Sequence, residues 1–212
     1  MMPVRRKLTG FTLIELAVTL TVILVLAMIA LPSFQAQRQR AALRGAADQL
    51  ANFWGQARFE AVKRNSMIKV GVVQTGGGSA FCLGAATTTA STDTAPCDCT
   101  TAAPSDATLT CNVARFPPDM ADGQAQWNGV TLAGVTLGGG TTLSNIEPAV
   151  IEPKRTTLTV TADDGTIRLL GPPGRNSYQL SMYVDRFGRP VLCEPTAATH
   201  KIAEYAERRC AN

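Results

Sequence analysis

The 212-residue chain is poor in aromatic residues, which make up 6%, and has one histidine, His200. Thr, Ala and Gly are abundant instead, which fits a loop-rich β domain better than a dense helical bundle. No nucleophile elbow, HExxH, Walker loop or GxGxxG occurs. The glycine runs TGGG at 75–78 and LGGGTT at 137–142 lack the lysine and helix of a phosphate loop. Asp163-Asp164 reads as a turn rather than a catalytic carboxylate pair. These absences argue against an enzyme and against a bound cofactor. They also argue against a metal site: Cys97-x-Cys99 has neither CxxC spacing nor a histidine close by in sequence.

Acidic residues are missing from the first fourteen positions, where Arg5, Arg6 and Lys7 stand. The net charge is +4, from 20 basic and 16 acidic residues. Setting those three cations aside leaves 17 against 16, so net charge gives no ground for nucleic-acid or membrane-surface binding. Cysteine is absent from the first 81 residues; all six, at 82, 97, 99, 111, 193 and 210, come later. An even count in an exported region favours disulfides over free thiols.

What the N-terminus does have is a long apolar run, Phe11–Leu31. At about 1.5 Å per residue it spans roughly 30 Å, one hydrocarbon core. The flanking cations place the N-terminus in the cytoplasm and the rest outside. A cleaved signal peptide is a poor match, because the run is long and Met28 occupies a site that wants a small residue; cleavage after Ala27 is the variant that remains. A plain anchor leaves Glu15 unexplained, since a carboxylate in a membrane costs on the order of 2–3 kcal/mol.

The stretch TGFTLIELAVTL resembles the leader site of type IV pilins and pseudopilins. The resemblance implies cleavage by a prepilin peptidase between Gly10 and Phe11, N-methylation of Phe11, and a glutamate at the fifth mature position, Glu15. It also implies a helix kink at Pro32, where the helix leaves the membrane. The new α-amino group, with a reference pKa of about 8, can offset the desolvation of Glu15 of a neighbouring subunit. Glu15 then acts as an assembly register.

Beyond Pro32, apolar residues at Leu43, Ala46, Ala47, Leu50, Phe53, Trp54, Ala57 and Ala61 recur every three or four positions, an amphipathic helix. Arg38, Arg40, Arg44, Asp48, Arg58 and Lys63 mostly fall on other faces, and the RxR pair Arg38 and Arg40 is expected to be a solvated face or a contact between subunits. Asn65-Ser66 marks the stop, giving a helix of about 80 Å. From Met67 the pattern becomes β. Strands are expected at MIKVGVV, Gly129–Leu137, Thr156–Val160, Thr166–Leu170 and Ser177–Val184, with RFGRPVLC closing the sheet and Gly188 at a turn. Asp164-Gly165 signals a hairpin, and GPPGRN a turn.

The expected fold is α+β, the type IV pilin fold: a long N-terminal helix packed on a mostly antiparallel β head. Its parts are a leader at 1–10, a membrane and assembly helix at 11–31, its amphipathic continuation at 32–65 and a disulfide-bonded head at 66–212. Within the head, the Thr/Ala/Ser-rich stretch at about 82–111 is expected to be an insertion ordered by cross-links. Cys97 and Cys99 are poorly placed to join each other, and Cys193 with Cys210 would close the C-terminal tail. Cys82, Cys97, Cys99 and Cys111 then pair among themselves in an order left open.

The cysteine pattern, ARFEAVKRNSMIKVGV and GRPVLC resemble the GspH/FimT branch of minor pilins. That implies a structural subunit that primes assembly or caps the tip of a type IV pilus, supporting twitching or adhesion. Its implied partners are the prepilin peptidase, other minor pilins, the major pilin and an inner-membrane assembly platform. Implied localisation is single-pass in the inner membrane, head periplasmic, then in a fibre at the cell surface. The same motif serves type II secretion pseudopilins. A third role, DNA binding during transformation, resembles members with a Gly-Arg-x-Arg element; here Gly188-Arg189-Pro190-Val191 lacks the second arginine, leaving Arg186 and Arg189 as candidate DNA contacts, with Arg175, Arg208 and Arg209 as further cations and His200 on the surface.

Overall fold

A computed structural model describes residues 12–75, 79–91, 93, 95–101, 104–117, 127–137, 148–154, 158–159, 165–174, 176–196, 198–205, 207–208 and 210. The chain divides into two units, 1–37 and 38–212. One helix, α1 (Leu13–Arg64), contributes to both and does not end at Pro32. It ends in a two-bond cap: Ser66 N–H donates to Ala61 O and Asn65 N–H to Val62 O, both at 3.2 Å. Asn65 takes φ 49°, a left-handed turn that asparagine tolerates.

In the second unit the helix buries its apolar stripe. Leu43, Ala46, Ala47, Leu50, Phe53, Trp54, Ala57 and Ala61 are all at most 6% exposed. Among the described residues nine strands follow: β1 (Met67–Thr75), β2 (Ala80–Thr88), β3 (Ala114–Phe116), β4 (Thr131–Thr136), β5 (Ala149–Ile151), β6 (Leu158–Thr159), β7 (Gly165–Leu170), β8 (Gln179–Val184) and β9 (Pro190–Cys193). They form two sheets rather than one, ordered β3-β2-β1-β5-β6 and β4-β7-β8-β9, with every strand pairing antiparallel. The helix stripe shares one buried cluster with both. Ile68, Val70, Val72, Phe81 and Leu83 come from the first sheet, Ile167, Leu169, Leu180, Met182 and Val184 from the second. Alternate residues along β1, β2, β7 and β8 thus join the helix stripe.

Two sequence expectations change. The hairpin at Asp164-Gly165 is not formed, because β6 pairs with β5 while β7 pairs with β4 and β8, in different sheets. Asp163 and Asp164 themselves lie outside the described residues. The stretch 82–111 is also not one insertion. Its beginning is β2, a core strand paired along its full length with β1. AFCLGAATT has few β-branched residues, so local propensity hid it; its partners decide the conformation.

The remainder of that stretch roofs the sheet. Lys69, Gly71, Cys82, Gly84 and Ala86 sit on the face turned away from the helix stripe, as strand alternation requires. A side chain added to Gly71 would meet Pro96 Cβ at 2.6 Å, and one added to Gly84 would meet Cys97 Sγ and Cys111 Sγ, each at 2.6 Å. Gly71 and Gly84 are directly paired across the strands, so together they make the floor on which the roof lies. Lys69, 6% exposed, donates to Ala95 O at 2.9 Å and pairs with Asp93 Oδ2 at 3.1 Å. These contacts hold the near edge of the roof.

Gly84 and Gly55 therefore respond oppositely to a methyl group. Gly84→Ala drives a Cβ into two sulfurs and is expected to destabilise by about 1–3 kcal/mol. Gly55, inside α1 with nothing within 4 Å of a Cβ, gains about 0.5–1 kcal/mol as Gly55→Ala. Thermal unfolding of the detergent-solubilised chain, kept oxidised, should lower the midpoint for the first and raise it for the second.

Candidate functional site

The first unit carries the exposed apolar segment. Its apolar window has a mean hydropathy of 2.6 and none of it is buried. Leu13 is 85% exposed, and Leu16, Ile23, Leu26, Ile29 and Leu31 are exposed as well. Two threonine hydroxyls along it are satisfied within the helix. Thr19 Oγ1 donates to Leu16 O and Thr21 Oγ1 to Val18 O, both at 2.8 Å. In hydrocarbon an unsatisfied hydroxyl would cost several kcal/mol, so this back-bonding suits a lipid surrounding. Gly10 and Phe11 lie outside the described residues.

Glu15 occupies the first turn of α1. Thr12 precedes the helix, and its Oγ1 accepts the Glu15 N–H at 3.3 Å. Thr-x-x-Glu before an apolar run is capping-box spacing, and a carboxylate in the first turn faces the positive end of the helix dipole. Glu15 thus has a second reason for its position: it favours the helix start that carries it. Thr12 was missed in the sequence, although its spacing to Glu15 was there to be seen.

The cysteines join as Cys82–Cys99, Cys97–Cys111 and Cys193–Cys210. The last closes the tail into a strap. Glu194 N–H donates to Arg208 O at 2.8 Å, Ile202 N–H donates to Glu194 Oε1 at 2.9 Å, and Ile202 is fully buried in the core cluster. Arg44 of α1 pairs with Glu204 at 2.8 Å, and Arg40 lies over the Tyr178 ring at 5.4 Å. Both arginines therefore make contacts within the head. His200 is exposed, edge-on to Tyr178 at 5.8 Å. Among the described residues no three His, Cys, Asp or Glu converge on a metal position.

The turn between β8 and β9 brings Arg186 and Arg189 together. Gly188 N–H donates to Asp185 O at 2.7 Å and Asp185 N–H to Arg189 O at 3.2 Å, with Gly188 at φ 67°. This is a tight turn followed by a left-handed residue that only glycine takes without strain. Trp54 Nε1 donates to Gly188 O at 3.1 Å in a buried bond, pinning the turn to α1. Phe187, 46% exposed, sits under both guanidinium groups, at 5.2 Å from Arg186 and 5.6 Å from Arg189. Arg189 is already engaged, its Nε and Nη2 each 2.9 Å from Asp185 Oδ2. Of the other cations considered, Arg175 and Arg209 lie outside the described residues, and Arg208 belongs to the strap. Phe187 went unnoticed in the sequence, because a single aromatic in a turn carries no pattern.

Residues 5–31 match the model of the prokaryotic N-terminal methylation motif. The chain is type IV pilin-like. The motif implies processing by a prepilin peptidase, membrane anchoring and assembly with other pilins, as a structural subunit. The long helix followed by antiparallel sheets fits the α+β type IV pilin fold. No curated protein and no solved structure matches the chain.

The head of this pilin-like chain has a pH-sensitive turn. Partial burial raises the Asp185 carboxyl, but the backbone and side-chain bonds from Arg189, its charge and the Phe187 N–H outweigh that and hold it below the ordinary value. A depressed folded value contributes stability that is present above the unfolded value, about 3.9, and is lost as pH falls through the folded one. Asp185→Asn should lower the unfolding midpoint at neutral pH. The gap from wild type should close below about pH 4. A gap that does not change with pH would contradict this.

Proposed function

We propose that the chain is a minor subunit of a type IV pilus, of the GspH/FimT kind, made in few copies to prime assembly or cap the tip. In this reading 1–10 is the leader, 11–31 the membrane and assembly helix, 32–65 its continuation with a kink at Pro32, and 66–212 the head. The leader is cut at Gly10–Phe11 and Phe11 is N-methylated. Before assembly the head stands in the periplasm and the N-terminus in the cytoplasm; afterwards the subunit is in the fibre, beside other minor pilins and the major pilin.

One observation carries the reading. The segment 13–31 of α1 is exposed and mostly apolar, and its single carboxylate sits in the first turn. Lipid can cover the apolar surface, but it offers Glu15 no counter-charge. The Phe11 amine of a neighbouring subunit does, in a site where each charge offsets the desolvation of the other. The minor pseudopilin of a type II secretion system uses the same chemistry; the cysteine-bearing roof favours the pilus. DNA contact through Arg186 and Arg189 is less well supported. Asp185 neutralises one of the two guanidinium charges, and phosphate binding needs several cations on one face.

Glu15→Ala is expected to leave membrane insertion and leader cleavage unchanged while lowering incorporation into sheared fibres by about tenfold or more. That factor corresponds to a loss of about 1.4 kcal/mol, less than the usual cost of breaking a buried pair. Quantitative blotting of fibre against membrane fractions reads it. Equal incorporation of variant and wild type would refute the register role.

A further inference from the structure

The two disulfides of the roof interlace: Cys82 joins Cys99, while Cys97, which precedes Cys99, joins Cys111. On the topology proposed above, the cysteines enter the oxidising side in chain order. At roughly 5–20 residues per second, Cys111 follows Cys99 by about a second. During that interval Cys82 has two available partners and Cys97 has no native one. The Cys82–Cys97 loop is two residues shorter than the native one, so loop-closure statistics separate the two pairings by only about 1.2-fold.

The folded frame, by contrast, holds one arrangement. The Cys97 and Cys111 sulfurs both lie over Gly84, which has no side chain to obstruct them. All of Cys82, Cys97 and Cys99 are at most 1% exposed once the roof is closed. A wrong first bond must therefore be corrected before closure.

We propose that Cys97-Asp98-Cys99 is an internal disulfide-exchange pair. About half of the chains first form Cys82–Cys97. The Cys99 thiolate then attacks Cys82 Sγ; the new Cys82–Cys99 bond forms as the Cys82–Cys97 bond breaks, and the electron pair leaves on Cys97 as a thiolate. This step is redox-neutral and needs no partner. Cys97 takes up a proton, and the Cys97 and Cys111 thiols then lose two electrons and two protons to a disulfide oxidant of the oxidising compartment, which is reduced to its dithiol; an oxidant of the same class makes the first bond. With that bond made no thiol remains in the roof, and its arrangement is locked.

The emergence order rests on the membrane topology proposed above, and the test separates the two. Full-length chain is pulse-labelled in cells and alkylated in acid at intervals of seconds, and its bonds are mapped by proteolysis and mass spectrometry. The expected result is an early Cys82–Cys97 species at about half of singly bonded chains, disappearing as Cys82–Cys99 grows. In Cys99→Ser the early species should persist. Oxidised wild-type chains that never carry Cys82–Cys97, or that keep it at maturity, would overturn the exchange alone. Six thiols that stay reduced in cells would overturn the topology and the exchange with it.

Discussion

Everything in the head depends on covering one stripe of α1, from Leu43 to Ala61. Half of its residues are alanines, which bring backbone close to the sheets, while Leu43, Leu50, Phe53 and Trp54 fill the gaps between them. Both sheets contribute alternate strand residues to the same cluster, so neither has a core without the helix. Polar contacts then fix the position along the stripe. Gln39 donates to Pro172 O, Arg44 meets Glu204 and Trp54 holds Gly188. Among the described residues, 13–31 of the same helix are exposed. That division, one part buried and one part exposed, is what the proposed role uses.

The face of the first sheet turned away from the helix is covered by a roof with little apolar content. Cysteine and proline replace the aliphatic layer that would ordinarily do this. Pro96 rests on Gly71 and a disulfide on Gly84, while Lys69 is neutralised by Asp93 beneath the edge. A thin layer of this kind buries little apolar area, and covalent links make up for that by restricting the unfolded chain. The strap after Cys193 follows the same logic, with Ile202 in the core cluster and one disulfide.

Much of this was legible in the sequence, and for identifiable reasons. The helix stripe was visible residue by residue, because apolar residues spaced by three and four from Leu43 to Ala61 fall on one side of a helix and on no one face of a strand. Strands rich in Val, Ile and Leu, such as β1, β7 and β8, were visible too. β2 was not: Ala, Gly and Cys are poor strand formers, and the strand exists because β1 pairs with it and the roof covers it. The separation of β6 from β7 was equally hidden, since a hairpin signal is local and sheet membership is not. At the candidate sites, Glu15 was legible from its cost in a membrane, whereas the Phe187 turn needed the fold to place its aromatic between two guanidinium groups.

The central claim is that the apolar half of α1 begins, in the mature protein, at an amine able to meet a carboxylate. Mass spectrometry of the N-terminal peptide of the chain extracted from its native membrane addresses this most directly. The account predicts a chain that starts at Phe11 and carries one methyl group on its amine. A chain that still starts at Met1, or one cut after Ala27, would contradict it.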